Sequence, residues 1–225
     1  MNEYDIAIVG IALKFPGANS IEEYWDLIRK GKEAITFFSE EYLKTKGVSP
    51  EKIQDEHYIK AAPILDNVSA FDEKFFNYSP SEAIAMDPQH RIWLECCWHA
   101  IENAGYAPDK LKGSTGVFGS AGGNISSYFL EYLRANPDIV GETGSIPQLG
   151  NDKDFLATRV SYKLNLKGPS MTVQSACSSS LVSVHLACQS LLNGECDMAL
   201  AGGSTIRVPH LSGYQHEDGG ILSSD

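Results

Sequence analysis

Short apolar runs in this chain alternate with longer stretches of helical periodicity, the pattern of strands interleaved with helices. Asp5-Ile6-Ala7-Ile8-Val9-Gly10-Ile11 is a compact apolar run closed by glycine and predicts a buried first strand. Ser20 followed by Glu23 has capping-box spacing and predicts a helix through Tyr24, Trp25, Leu27 and Ile28, stopped at Gly31. Residues 32–70 are irregular and polar, with Pro50 and Pro63, and predict a surface excursion. Asp87-Pro88 supplies an N-cap followed by proline at the first helical position. The helix it opens carries Ile92, Trp93, Cys96, Cys97, Ala100, Ile101 and Ala104 on one broad face before Gly105 ends it.

The second half of the chain repeats the alternation. Residues 115–120 predict a strand, and Asn151 with Asp154 predicts a helix start leading through Phe155, Leu156, Val160 and Leu164. Residues 168–176 predict a short strand opened by Gly168-Pro169, and residues 178–192 a helix closed by Asn193-Gly194. Residues 196–201 predict a last buried strand before Gly202-Gly203. Strands alternating with helices imply an α/β fold with a mostly parallel sheet. There is no internal repeat, low-complexity segment or flexible linker.

Composition narrows the function classes. The 225 residues are 43% hydrophobic, enough for a substantial core. A net charge of −11 without a Lys/Arg run argues against nucleic acid or an anionic membrane as the main partner. No apolar stretch approaches the ~20 residues that a membrane-spanning helix requires. The start, Met1-Asn2-Glu3-Tyr4-Asp5, is acidic and unlike a secretory signal. Five irregularly spaced cysteines do not suggest a disulfide framework, so a reducing, cytoplasmic setting is expected.

Of those cysteines, Cys177 stands where the predicted strand passes into the predicted helix. At a helix N-terminus, unpaired backbone N–H groups and the macrodipole favour an anion. The same groups suit the oxyanion that forms when a thiolate attacks a thioester. Cys177 is therefore the expected nucleophile of an acyl transfer. Cys96, Cys97, Cys188 and Cys196 fall within predicted helices and a core strand and are expected to be packing residues. Cys96, Cys97 and His99 cannot converge easily on a metal, because adjacent helical residues point about 100° apart. Gly116, Gly119, Gly122 and Gly123 match neither phosphate-loop spacing and are expected to serve close packing at a strand end. No Gly-x-Ser-x-Gly elbow is present.

The segment Gly168-Pro-Ser-Met-Thr-Val-Gln-Ser-Ala-Cys177-Ser-Ser-Ser-Leu-Val-Ser-Val-His-Leu-Ala-Cys-Gln-Ser-Leu-Leu192 closely resembles the active-site segment of β-ketoacyl synthases, specifically the ketosynthase domains of modular polyketide synthases. Further patches resemble the family in its own order: residues 8–17, Phe71-Asp72-Glu73-Lys74-Phe75-Phe76, Ser79-Pro80-Ser81-Glu82-Ala83, Met86-Asp87-Pro88-Gln89-His90-Arg91 and Leu200-Ala201-Gly202-Gly203. The resemblance implies a thiolase-like fold with α/β/α/β/α layers. Residues 1–225 would supply its N-terminal half, the C-terminal half being missing.

The resemblance further implies that Cys177 takes an acyl chain from an acyl-carrier protein. A malonyl-type extender on a second carrier protein then loses carbon dioxide and condenses with that chain. Phosphopantetheine arrives on the carriers, and no metal or redox cofactor is bound. The family places a homodimer interface along the strand before Cys177. It takes two histidines from the second half, in His-Gly-Thr-Gly-Thr and Gly-His contexts, and neither context occurs here. His185, two turns past Cys177, is expected to be a satisfied core or interface group, and His210 and His216 loop residues beside Gly213-Tyr214.

Many polyketide ketosynthases carry an acidic residue and Thr before Ala-Cys, where this chain has Gln174-Ser175; the change leaves the nucleophile in place. Two alternatives stand beside this reading. One is a stand-alone fatty-acid 3-oxoacyl-carrier-protein synthase. The other is a catalytically inert half-domain, and the 225 residues alone are expected to lack condensing activity.

Overall fold

The computed structural model describes residues 5–123, 126–143 and 146–225, so Met1-Asn2-Glu3-Tyr4 of the N-terminal reading lie outside the described residues. The chain divides into two units. One comprises residues 1–12 and 68–207, the other residues 13–67 and 208–225.

The larger unit is built on a parallel sheet. Strands β4 (Thr115–Gly119), β5 (Ser170–Thr172) and β6 (Met198–Ala201) run in the order β5-β4-β6. Val117 pairs with Ser170 on one side of β4 and with Leu200 on the other, both in parallel register. β4 is buried along its whole length, as a central strand covered on both faces must be.

Helix α5 (Pro88–Asn103) is the main strut beside the sheet. The Asp87 carboxylate accepts the Gln89 N–H at 2.8 Å, and Pro88 fills the first helical position, as the Asp-Pro pair predicts. Trp93, Leu94, Cys97 and Ile101 recur at helical spacing and pack with Val117, Leu156, Val160 and Leu200 in one core. Helix α4 (Pro80–Ala85) begins with a reciprocal capping box between Ser79 and Glu82. Helix α8 (Phe155–Lys163) contributes Leu156, Ala157 and Val160 to the core. Its start differs from expectation. Asn151 closes α7 (Ile146–Asn151), which follows α6 (Pro137–Thr143), and its buried amide donates to Ala85 O and Pro147 O instead of capping α8.

Residues 5–11 are not a strand. Among the described residues they have no ladder partner. The segment lies against the end of α5, where the Ile11 N–H donates to Asn103 Oδ1 at 3.0 Å. Gly10 sits so close to the Ala100 carbonyl that a Cβ there would overlap it. Ile8 is 82% exposed, so the apolar run is not the buried strand its composition implies.

Helix α9 (Ser179–Leu192) is present as predicted but is buried along one face only. It lays a stripe of small side chains, Ser179, Ser183, Ala187 and Ser190, on β4 and β6. Leu181 (75% exposed), Val184, His185 and Leu192 face away from the sheet. His185 is thus exposed, which removes the core placement and leaves the interface placement of the two expected for it. Small residues win the inward face because they let the helix approach the sheet closely.

The smaller unit has its own elements where an irregular excursion was expected. Helix α1 (Ile21–Lys30) runs from the Ser20 cap to Gly31 at φ 58°, as predicted. Glu23 reaches back to the Asn19 N–H, one residue further than an ideal capping box. Strand β1 (Ile35–Phe37) pairs antiparallel with β3 (Ala61–Pro63), and β2 (Tyr58–Ile59) with β7 (Tyr214–Gln215). Helices α2 (Glu40–Thr45) and α3 (Pro50–Gln54), each opened by a serine cap, bring Leu43 and Ile53 together with Tyr58 in a small core. His210 and His216 lie outside any element, as expected, although Tyr214 between them belongs to β7. His210 Nε2 accepts the Leu65 N–H at 3.0 Å, and His216 is partly buried. No helix among the described residues is long and apolar enough to cross a membrane.

Candidate active site

The three parallel strands end at one edge, and the segments leaving them converge there. That edge, at the carboxyl ends of the strands, is where parallel α/β sheets collect ligands. Beyond β4 and β6 the backbone continues to pair: Ser120 N–H donates to Gly202 O, Ser204 N–H to Ser120 O and Gly122 N–H to Ser204 O. Beyond β5, the Val173 N–H donates to Gly119 O at 2.7 Å, and Gln174 Nε2 donates to Ala121 O at 3.2 Å. The chain then turns sharply through a 3-10 turn, Ala176–Ser178, into α9.

Cys177 occupies the middle of that turn and is exposed. Ala176 before it has φ 52°, a left-handed conformation that costs an L-residue about 1–2 kcal/mol. Serine hydroxyls hold the turn in this shape. Ser179 Oγ accepts the Ser175 N–H at 2.8 Å and donates to Ala176 O at 2.7 Å, closing a loop around Cys177. Ser178 Oγ donates to Ser175 O at 2.8 Å, and the fully buried Ser183 Oγ donates to Ser179 O at 2.9 Å. The strand–turn–helix placement predicted for Cys177 is present, with a tighter turn than the sequence suggests. Strain at a single non-glycine residue, fixed by several hydrogen bonds, is the arrangement found where a side chain is held out for chemistry.

The other cysteines are placed differently. Cys97 and Cys196 are buried, and burial pushes the Cys97 thiol well above its usual range. Cys96 and Cys188 are partly buried. The glycines of the β4 end serve close packing: a Cβ on Gly119 would meet the Trp93 indole, and one on Gly122 would meet Thr205.

The model of the beta-ketoacyl synthase N-terminal domain matches residues 3–225. The chain belongs to the β-ketoacyl synthase family. It is 48% identical to a phenolphthiocerol/phthiocerol polyketide synthase of Mycobacterium tuberculosis, across 99% of this chain and 15% of that protein. It is 40% identical to polyketide synthase PksN of Bacillus subtilis, across 98% of this chain and 4% of that protein. The chain thus spans a small part of the length of these relatives. Among solved structures, ketosynthase twelve of the bacillaene polyketide synthase in Bacillus amyloliquefaciens superposes with a TM-score of 0.85 at 40% identity. That match covers 97% of this chain and 38% of the other. The fold is accordingly the thiolase-like α/β fold of ketosynthases.

A buried polar cluster at the start of α5 lies in the same unit, and the sequence reading missed its burial. Asp87, Gln89, His90 and Arg91 are all buried, although a polar first turn ordinarily faces water. Asp87 accepts from the Ser126 hydroxyl at 2.6 Å and from Gln89 Nε2 at 3.2 Å. Burial raises the Asp87 carboxyl above its ordinary range, against the pull of those donors. Burial, reinforced by the Arg159 cation, drives the His90 imidazole down to about 3, so it is neutral. His90 Nδ1 accepts from Arg159 Nε at 3.4 Å. Arg159 also donates to Tyr78 Oη and to Leu149 O. The available signal was the family-like Met86-Asp87-Pro88-Gln89-His90-Arg91 run itself, four chemically demanding side chains within the cap and first turn of a helix.

Proposed function

We propose that this chain is the acyl-accepting part of a polyketide synthase ketosynthase, with Cys177 as its nucleophile. The observation that carries the reading is the exposed thiol on a strained, hydrogen-bonded turn at the carboxyl edge of a parallel sheet, in a member of this family. In the first step the Cys177 sulfur attacks the carbonyl of an acyl thioester on a carrier protein, and the carrier's phosphopantetheine thiol leaves. In the second, a malonyl-type thioester loses carbon dioxide and its carbanion attacks the Cys177 thioester. The new carbon–carbon bond forms as the Cys177 sulfur departs, leaving a 3-oxoacyl chain on the second carrier. Neither step changes oxidation state, so the balance requires no redox cofactor. Similarity to polyketide synthases favours this reading over a fatty-acid enzyme.

The test is acylation of the full-length protein by a carrier-bound thioester, read by intact and peptide mass spectrometry. Wild type gains the acyl mass on the Cys177 peptide. Cys177→Ser, nearly isosteric but a far weaker nucleophile without a base, slows acylation by about a hundredfold or more. An acyl adduct on any other residue, or a Ser variant as fast as wild type, refutes the assignment. A full-length protein that neither acylates at Cys177 nor condenses with the extender supports the catalytically inert alternative.

The partner proposals are carrier proteins and a second copy of the chain. β5 is an edge strand among the described residues, with Met171 partly exposed, which supports pairing across a two-fold axis at this strand. Met171→Lys is expected to shift the protein from dimer to monomer in analytical ultracentrifugation. An unchanged dimer places the interface elsewhere.

A further inference from the structure

The Gln89 side chain reaches from the start of α5 to both loops that border the Cys177 turn. Its Oε1 accepts the Gly122 N–H at 2.9 Å, beyond β4, and the Ile206 N–H at 3.3 Å, beyond β6. Its orientation is not free. Nε2 donates to Asp87 Oδ2, and a carboxylate there admits only the NH2 end of the amide, so the oxygen must face the two loops. Asp87 is held in turn by the Ser126 hydroxyl and the Gln89 backbone N–H. All of these groups are buried, Asp87 to within 2% of complete and Gln89 to within 3%.

The two loops touch the nucleophile's surroundings on both sides. Ala121 O accepts from Gln174 Nε2, three residues before Cys177. Gly203 lies so close to the other side that a Cβ on it would overlap Ser120 Oγ and come 3.4 Å from Ser180 Cβ, in the first turn of α9. The loops are also tied to each other through Gly122 N–H to Ser204 O, a donor that Gln89 shares. Gln89 hydrogen-bonds both segments from within the helix beneath them.

We propose that Gln89, oriented by Asp87, is a positioning residue that fixes residues 120–123 and 202–206 beside Cys177 and so sets how an acyl thioester is presented to the thiol. The inference rests on the reading of Cys177 as the acylated residue. It predicts a division between reactions that need the walls and those that need only the sulfur. A small alkylating agent needs only an accessible thiol; a carrier-bound acyl chain needs the walls as well.

The experiment compares wild type, Gln89→Ala, Gln89→Glu and the double variant Asp87→Asn/Gln89→Glu in the full-length protein at pH 8. The double variant reverses the polarity of the pair. The new amide at position 87 would donate to the new carboxylate at position 89, whose other oxygen would still accept from Gly122 and Ile206. Three quantities are read: iodoacetamide alkylation of Cys177, acylation by carrier thioester with its saturation curve, and amide exchange at Ile206. Loss of one buried hydrogen bond predicts about tenfold faster exchange at Ile206 in Gln89→Ala. Acylation at saturation is expected to fall about tenfold in both single variants, alkylation to stay within twofold, and the double variant to recover acylation.

Unchanged acylation in both single variants overturns the proposal. So does a parallel loss of alkylation and acylation that the double variant does not restore, since that is general destabilisation. If wild type forms no Cys177 adduct, the reading of Cys177 has failed and the catalytic part of this proposal falls with it. The exchange measurement separates the cases, because it reports the Gln89 coupling without any substrate.

Discussion

His90 makes the acid sensitivity of this fold calculable. The imidazole is 1% exposed, and burial together with the Arg159 cation pushes its pKa down to about 3 from 6.5. Above pH 6.5 it is neutral in both folded and unfolded chains and contributes no pH dependence. Below that, the unfolded chain binds a proton that the folded chain refuses, so stability is lost as pH falls from 6.5 towards about 3. Between pH 8 and pH 5 the loss is about 1.36 kcal/mol for each unit below 6.5, or about 2 kcal/mol. His90→Gln keeps an oxygen to accept from Arg159 but cannot titrate. Urea unfolding of both proteins, followed by tryptophan fluorescence, isolates the effect as a double difference. Background carboxylates cancel in it, including Asp87, whose raised pKa acts in the opposite sense and loses stability as pH rises through its folded value. The stability gap between wild type and variant is expected to move by about 2 kcal/mol in the variant's favour on going to pH 5. A gap that stays constant within about 0.5 kcal/mol would mean that His90 takes up its proton in the folded state at an ordinary pH, and the reasoning from burial would fail.

Limiting iodoacetamide should label Cys177 first, since Cys97 and Cys196 are buried and burial keeps the Cys97 thiol protonated; dominant labelling at Cys97 on a peptide map contradicts this. Gly168→Ala should lower the melting temperature sharply. Its Cβ would lie 2.4 Å from the Thr115 carbonyl carbon and 2.5 Å from Gly116 N, backbone that cannot yield without disturbing β4. The expected cost is about 3 kcal/mol. Gly194→Ala, with φ 70° but nothing within 4 Å, should cost about 1 kcal/mol and serves as the control; equal effects would show that β4 gives way easily.

Much of the setting of Cys177 was legible because its signals are local. The Gly168-Pro169 turn, the serines after Cys177 and the Asn193-Gly194 stop bracket a strand, a junction and a helix within a single segment. The Ser20 and Asp87 caps act across two or three residues, and each appears where the spacing places it. What the sequence reading got wrong depends on partners far along the chain. Residues 5–11 have strand composition but no neighbouring strand among the described residues, and an apolar run without a ladder partner does not become a strand. Residues 32–70 read as an excursion because β1, β2 and β3 are only two or three residues long, and one of their pairings uses Tyr214 and Gln215.

By itself, the sequence determined the alternation of strands and helices around the parallel sheet, the ends of α1, α5 and α9, and the junction that presents Cys177. Each is set by backbone preferences and caps that act over a few residues. Tertiary structure alone decided which face of α9 turns inward, where small serines and alanine outcompete leucine because the sheet approaches closely. It also decided that Asp87, Gln89, His90 and Arg91 are buried. A polar side chain is stable inside only when its hydrogen bonds are met there. For Gln89 the partners are Gly122 and Ile206, 33 and 117 residues away. Only its Nε2 has a partner nearby, Asp87 two residues back; no window of sequence around residue 89 contains the N–H groups that satisfy its oxygen.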